Sequence, residues 1–246
     1  MNWVFVAICG GVAALLVRDE LRIREAADDL AKRILGSGPE HVPIDEGEFP
    51  SSLRAQLVRL DGVLEDLGFD PLGDFDVTEP FLRALGIHQL ARLFVSADRR
   101  TYVALACITL TTDGKTTVFE DFRLQFVSEV EDGRFLYTLE GEGQERQLDP
   151  PELEHHSSPV GTEVAELWRC HRARLDAEVV RAIPDLSALV TSQRRESKLR
   201  RAHLIALAKR GLTRAQVRAL GGPENAVLAR RIARQLRRRI DRPDEF

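Results

Sequence analysis

The apolar positions change their spacing three times along the chain. Met1 to Val17 (MNWVFVAICGGVAALLV) is apolar throughout and carries no charged side chain. At about 1.5 Å per residue such a run covers roughly 25 Å, the lower edge of a transmembrane helix. A cleaved signal peptide would need a basic start and a small-residue cleavage site, and this run has neither. Residues 1–17 therefore read as an anchor in membrane lipid, with Trp3 where an interfacial aromatic belongs.

Residues 18–36 read as a juxtamembrane helix. Ile23, Ala27, Leu30 and Ile34 share one face, and Gly36-Ser37-Gly38-Pro39 stops it. Residues 37–50 hold prolines, glycines and acids and read as a linker. After Ser51-Ser52, Leu53, Leu57, Leu60, Leu64 and Leu67 repeat at helical spacing, and Gly68 closes that helix.

From His88 the period shortens. Leu90–Ala97, Thr101–Thr111, Thr116–Glu129 and a segment with Phe135, Tyr137 and Leu139 alternate as strands. Asp113-Gly114 and Asp132-Gly133 mark the turns between them. Val118, Phe122, Leu124 and Phe126 lie on one side of their strand, with Asp121, Arg123, Gln125 and Glu129 on the other. The pattern predicts a roughly four-stranded antiparallel meander with one wet face and an edge open to a partner strand. Thr162 opens a helix with Val164, Leu167, Trp168, His171, Leu175 and Val179 inward, and Pro184 stops it. The rest reads as helices, the third start marked by a capping box, Thr213-x-x-Gln216, inside a Leu212–Val217 staple.

The predicted fold class is thus α+β: an N-terminal transmembrane helix, a helix packed on the meander, and an all-helical basic C-terminal region. The domains are 1–17 anchor, 18–36 juxtamembrane helix, 37–50 linker, 51–183 α+β domain and 184–246 helical basic region.

Charge sharpens this layout. The chain has 35 Lys+Arg against 39 Asp+Glu, net −4. Residues 194–246 alone hold 16 basic and 5 acidic groups, net +11. Arg18, Arg22, Arg24, Lys32 and Arg33 follow the apolar run and none precedes it, so the positive-inside rule puts the bulk of the chain in the cytoplasm of a bacterium, as a single-pass inner-membrane protein. Cys9, Cys107 and Cys170 form no CxxC pair, which fits a reducing compartment and no disulfide scaffold.

Several short motifs resemble a group of uncharacterised bacterial single-span membrane proteins. They are Leu67-Gly68-Phe69 with Gly73-Asp74-Phe75, then Phe126-x-Ser128-x4-Gly133-x4-Thr138, then Glu166-Leu167-x3-His171. The resemblance covers about residues 57–175, and no activity is implied by it.

Candidate chemistry is sparse. His171, beside Cys170, would suit a general base, but its helix face is that of a core residue. Glu152, Glu154, His155 and His156 combine metal-binding types without HExxH spacing. Asp70, Asp74, Asp76 and Glu79 read as an acidic turn without the calcium-loop pattern. Gly36-Ser37-Gly38 is too short to cradle phosphate. No metal or cofactor is called for. The last helix is more specific: Leu228, Ile232, Leu236 and Ile240 line one side, and Arg230, Arg231, Arg234, Arg237 and Arg238 fall mainly on the other. Those arginines would face anionic lipid, nucleic acid or a protein partner. A helix-turn-helix needs a small residue before its turn glycine, and Val217 and Arg218 stand there instead.

The leading expectation is a membrane-anchored, non-enzymatic interaction or scaffolding protein. A tethered nucleic-acid binder acting through residues 194–246 is the alternative. An enzyme using His171 or His155/His156 is the third reading.

Overall fold

The structure is a computed structural model, and it describes residues 21, 23–29, 31, 40–78, 80–112, 114–141, 148–219 and 226–241. The chain divides into two compact units. Among the described residues the larger holds 40–141 and 150–199, and the smaller holds 21–31, 148–149 and 200–241.

The larger unit is built on one sheet whose spatial order follows chain order. The strands are β1 (Val42–Pro43), β2 (Phe69–Asp76), β3 (Ile87–Ser96), β4 (Tyr102–Thr112), β5 (Lys115–Glu129), β6 (Phe135–Glu140) and β7 (Leu153–Ser158). Neighbours are antiparallel from β1 to β6, and β7 then adds parallel to β6. Gly114 and Gly133 turn the β4–β5 and β5–β6 hairpins with positive φ, as their Asp-Gly pairs predict.

Both sheet faces are covered. In β3 and β4 adjacent residues are buried in opposite directions, so these strands read as apolar runs rather than alternation. On one face lie Leu90, Phe94, Val103, Leu105, Cys107 and Phe126. The helix Arg54–Asp66 covers them with Leu57, Leu60 and Leu64, and the helix Val164–Leu175 with Leu167. Each such fully buried leucine contributes about 1.5–3 kcal/mol. Trp168 closes the gap, stacked on Phe126 at 5.4 Å and edge-on to Phe69 at 4.8 Å. On the other face lie Ala91, Leu93, Val95, Tyr102, Ala104, Val127, Phe135 and Tyr137. Ile183 and Leu189 cover that side, the latter from the first half of the helix Leu186–Arg210.

The smaller unit is helical among its described residues. Over both units, the described helices in chain order are α1 (23–29), α2 (Arg54–Asp66), α3 (Pro80–Ala84), α4 (Val164–Leu175), α5 (Leu186–Arg210), α6 (Arg214–Ala219) and α7 (Ala226–Asp241). Ile23, Ala27, Ala208, Val217, Ile232, Leu236 and Ile240 form the smaller unit's core. The capping box closes as expected: Thr213 N–H donates to Gln216 Oε1 at 2.9 Å, and Gln216 N–H to Thr213 Oγ1 at 3.2 Å.

Several expectations are corrected. Among the described residues no helix is long and apolar enough to cross a membrane, so the membrane-spanning part of the expected architecture is withdrawn. The 25-residue α5 has the length, but six charged side chains lie between Arg194 and Arg201. Residues 1–17 lie outside the described residues. The meander has seven strands rather than about four, is mixed rather than antiparallel, and has no wet face over its centre. The acidic turn at Asp70–Asp76 is strand β2. Its acids hid the strand because Asp74 is neutralised by Arg92 across the ladder and Asp76 accepts bonds from Thr78, Arg83 and His88. The loop holding His155 and His156 is β7.

One glycine is fixed by contact as well as by backbone. Gly86 sits at φ +75° before β3, and an added Cβ would stand 2.3 Å from the Thr111 carbonyl oxygen. Gly86→Ala is expected to lower stability by about 2 kcal/mol, read as a shift in the urea midpoint. An unchanged midpoint would refute it.

Candidate polyanion-binding face

The Arg-rich helix of the sequence is α7, and its two sides have separate fates. Ala229, Ile232, Ala233, Leu236 and Ile240 are buried in the helical core. Spacings of three and four bring them onto one stripe. Arg230, Arg234, Arg237 and Arg238 are exposed on the opposite side, and Arg231 is half-buried. Arg239 is drawn off into a pair with Asp28, Nε to Oδ1 at 2.8 Å. Arg237 has only a long contact to Asp241 at 3.9 Å. Arg230, Arg234 and Arg238 have no ion-pair partner among the described residues. Arg231, Arg234 and Arg238 line a cavity of about 310 Å³ together with Ile23 and Gln235. The structure thus brings the five sequence-predicted arginines onto one helix, four of them in water.

His171 has a different role from the one a general base requires. It is fully buried on α4. Its Nε2 meets Ser128 Oγ at 3.0 Å and its Nδ1 meets Thr138 Oγ1 at 2.9 Å. Ser128 Oγ also bonds Thr101 Oγ1 at 2.8 Å, and Arg174 Nη1 donates to Thr138 Oγ1 and the Tyr137 carbonyl. Burial, with the Arg174 charge nearby, pushes the His171 pKa down to about 3, so the ring is neutral. Ser128, Thr138 and His171, separate motif residues in the sequence, are one sealed network that fixes α4 on β5 and β6. No substrate reaches a ring with no exposed surface.

His155 stacks on Tyr137 at 4.7 Å, and neighbouring His156 is exposed. Among the described residues no three His, Cys, Asp or Glu groups are placed to hold a metal. Cys107 is buried, which raises its thiol to about 11 and removes its nucleophilic form. Glu79 and Gly36-Ser37-Gly38 lie outside the described residues.

Two charged clusters escaped the sequence reading. Arg92 on β3 holds Asp74 with two bonds of 2.7 Å, bonds Asp61 of α2, lies 3.3 Å from Glu46 and sits over the Phe49 ring. Glu129, 1% exposed, accepts bonds from Ser192 and twice from Arg195. Register places Asp74 opposite Arg92, and only the finished sheet supplies that register.

The two units define an α+β protein with a mixed seven-stranded sheet and an arginine-faced helical unit. Comparison with known proteins adds no relative: no family model, no curated protein and no solved structure matches the chain.

Proposed function

We propose that the chain is a non-catalytic interaction module that holds a polyanion on the arginine face of α7, with the nucleic-acid backbone as that polyanion. The observation that carries this reading is the division of α7. Its apolar stripe is consumed in the helical core while Arg230, Arg234, Arg237 and Arg238 stay in water. A helix lying in a lipid interface needs that apolar stripe free to enter the acyl boundary. A helix that meets phosphates needs only the cations. Guanidinium forks suit phosphate oxygens in two-pronged contacts.

Fluorescence anisotropy of the full chain with short single- and double-stranded DNA and RNA tests the reading. Four phosphate contacts predict a loss of affinity of about a hundredfold between 50 and 200 mM salt. Replacing Arg230, Arg234, Arg237 and Arg238 together by Gln should flatten the log–log salt slope by about 4. Absent binding, salt-independent binding, or an unaltered quadruple variant overturns the proposal. Co-sedimentation with anionic vesicles but not with nucleic acid would replace it with a lipid reading.

A further inference from the structure

A second site, independent of α7, lies where the chain returns to the end of β5. Residues 179–181 run antiparallel beside Glu129–Glu131: Val180 bridges Val130, Arg181 N–H donates to the Glu129 carbonyl at 2.8 Å, and Glu131 N–H to the Val179 carbonyl at 2.8 Å. The start of α5 follows at once, with Asp185 Oδ1 accepting the Ala188 N–H at 2.8 Å. These segments wall a cavity of about 560 Å³.

The cavity's charge pattern is unusual. The Glu129 carboxylate at its base is sealed, and it holds two guanidiniums. Arg195 gives Nε and Nη2 to it at 2.7 and 2.6 Å, and Arg181 Nε lies 3.2 Å away. Arg181 Nη2 donates to the Glu131 carbonyl at 2.8 Å. That leaves Nη1 of each arginine without a partner among the described residues, and both side chains are 44% exposed. Two cations share one buried anion, so a positive charge remains for a ligand carboxylate. Asp185 and Glu131 also line the cavity and carry the opposite charge. Ala182, Ile183 and Ala188 supply an apolar wall.

We propose that this cavity binds a zwitterionic small molecule of the α-amino acid class. Its carboxylate takes the free Nη1 edges of Arg181 and Arg195. Its ammonium faces Asp185 and Glu131, and its side chain lies on the Ala182–Ile183–Ala188 wall. With three carboxylates against two guanidiniums around the space, a dianion such as phosphate is repelled, whereas a ligand bearing both charges matches each side. Glu129 pre-orders the guanidiniums, so little side-chain entropy remains to be lost on binding.

The test is a set of ¹H–¹⁵N spectra of the full chain titrated with the common L-α-amino acids, their C-terminal amides and inorganic phosphate. At least one amino acid should give saturable shifts at residues 181–195, with its amide and phosphate at least tenfold weaker. Arg181→Gln should weaken that binding at least tenfold. Arg181 is half exposed, and Glu129 keeps Arg195 and Ser192 without it, so this variant should fold; thermal melting checks that. The proposal is overturned if no amino acid gives saturable shifts, if amide or phosphate binds equally, or if a folded Arg181→Gln binds as the parent does.

Discussion

Acidification below about pH 6.5 is expected to weaken the fold through His171. An unfolded chain takes up a proton there near its ordinary value of 6.5, whereas the native ring resists until about 3. Between those values the unfolded state binds more protons. The stabilising contribution is therefore fully present above pH 6.5 and is lost as pH falls toward 3, at up to about 1.4 kcal/mol per pH unit. The structural cause is burial of the ring, which penalises its charged form, with the cationic Arg174 adding to the effect; the hydroxyls that meet both nitrogens bring no compensating negative charge. His171→Leu removes the titration. At neutral pH it also removes one partner each from Ser128 and Thr138, at a cost of about 1–3 kcal/mol. Urea melts across pH for both proteins give the comparison. The parent should lose stability more steeply on acidification, and parallel curves would sink the assignment.

Arg92→Leu should have an effect of similar size with the opposite pH trend. Among the described residues Arg92 is the one cation paired with Asp74, Asp61 and Glu46, and its side chain is only 13% exposed. The bond to Asp74 is the main reason its own pKa is raised. Removing it leaves facing carboxylates with no counter-charge, at about 3–5 kcal/mol. Burial already raises the Asp61 pKa even with Arg92 present. Without Arg92 the native carboxylates bind protons more readily than the unfolded chain does, so the variant recovers stability as pH falls. The gap between parent and variant should narrow from neutral toward acid pH in chemical melts. A gap that stays constant would mean that Arg92 acts through packing alone.

The parts of the fold legible in the sequence were those written in local period and turn chemistry. Leu53, Leu57, Leu60 and Leu64 spelled α2, and the two Asp-Gly pairs spelled their hairpins. Thr213 and Gln216 marked α6 within a residue. The parts that were not legible depend on partners distant in sequence. Asp70, Asp74 and Asp76 read as a turn because their neutralising groups come from β3, α3 and the turn that follows β3. Leu153–Ser158 (LEHHSS) lacks alternation because a parallel edge strand takes its order from β6. Alternation puts Glu129 on a wet face, since nothing local announces that Ser192 and Arg195 will cover it. The arginine face was legible as amphipathic spacing. That its apolar stripe is already spent was not, because Ile23 and Ala27 lie some two hundred residues away.

The sheet order β1 to β7 has a consequence for how the chain is made. Every strand hydrogen-bonds to the one that leaves the ribosome just before it. Each addition therefore closes a loop of neighbouring sequence, the longest being the α2-containing connection from β1 to β2. Vectorial synthesis can build the sheet edge outward without waiting for later sequence. Its second face stays bare until Ile183 and Leu189 emerge. The interval between β7 and α5 is then the stage of synthesis at which the nascent chain most needs shelter from aggregation.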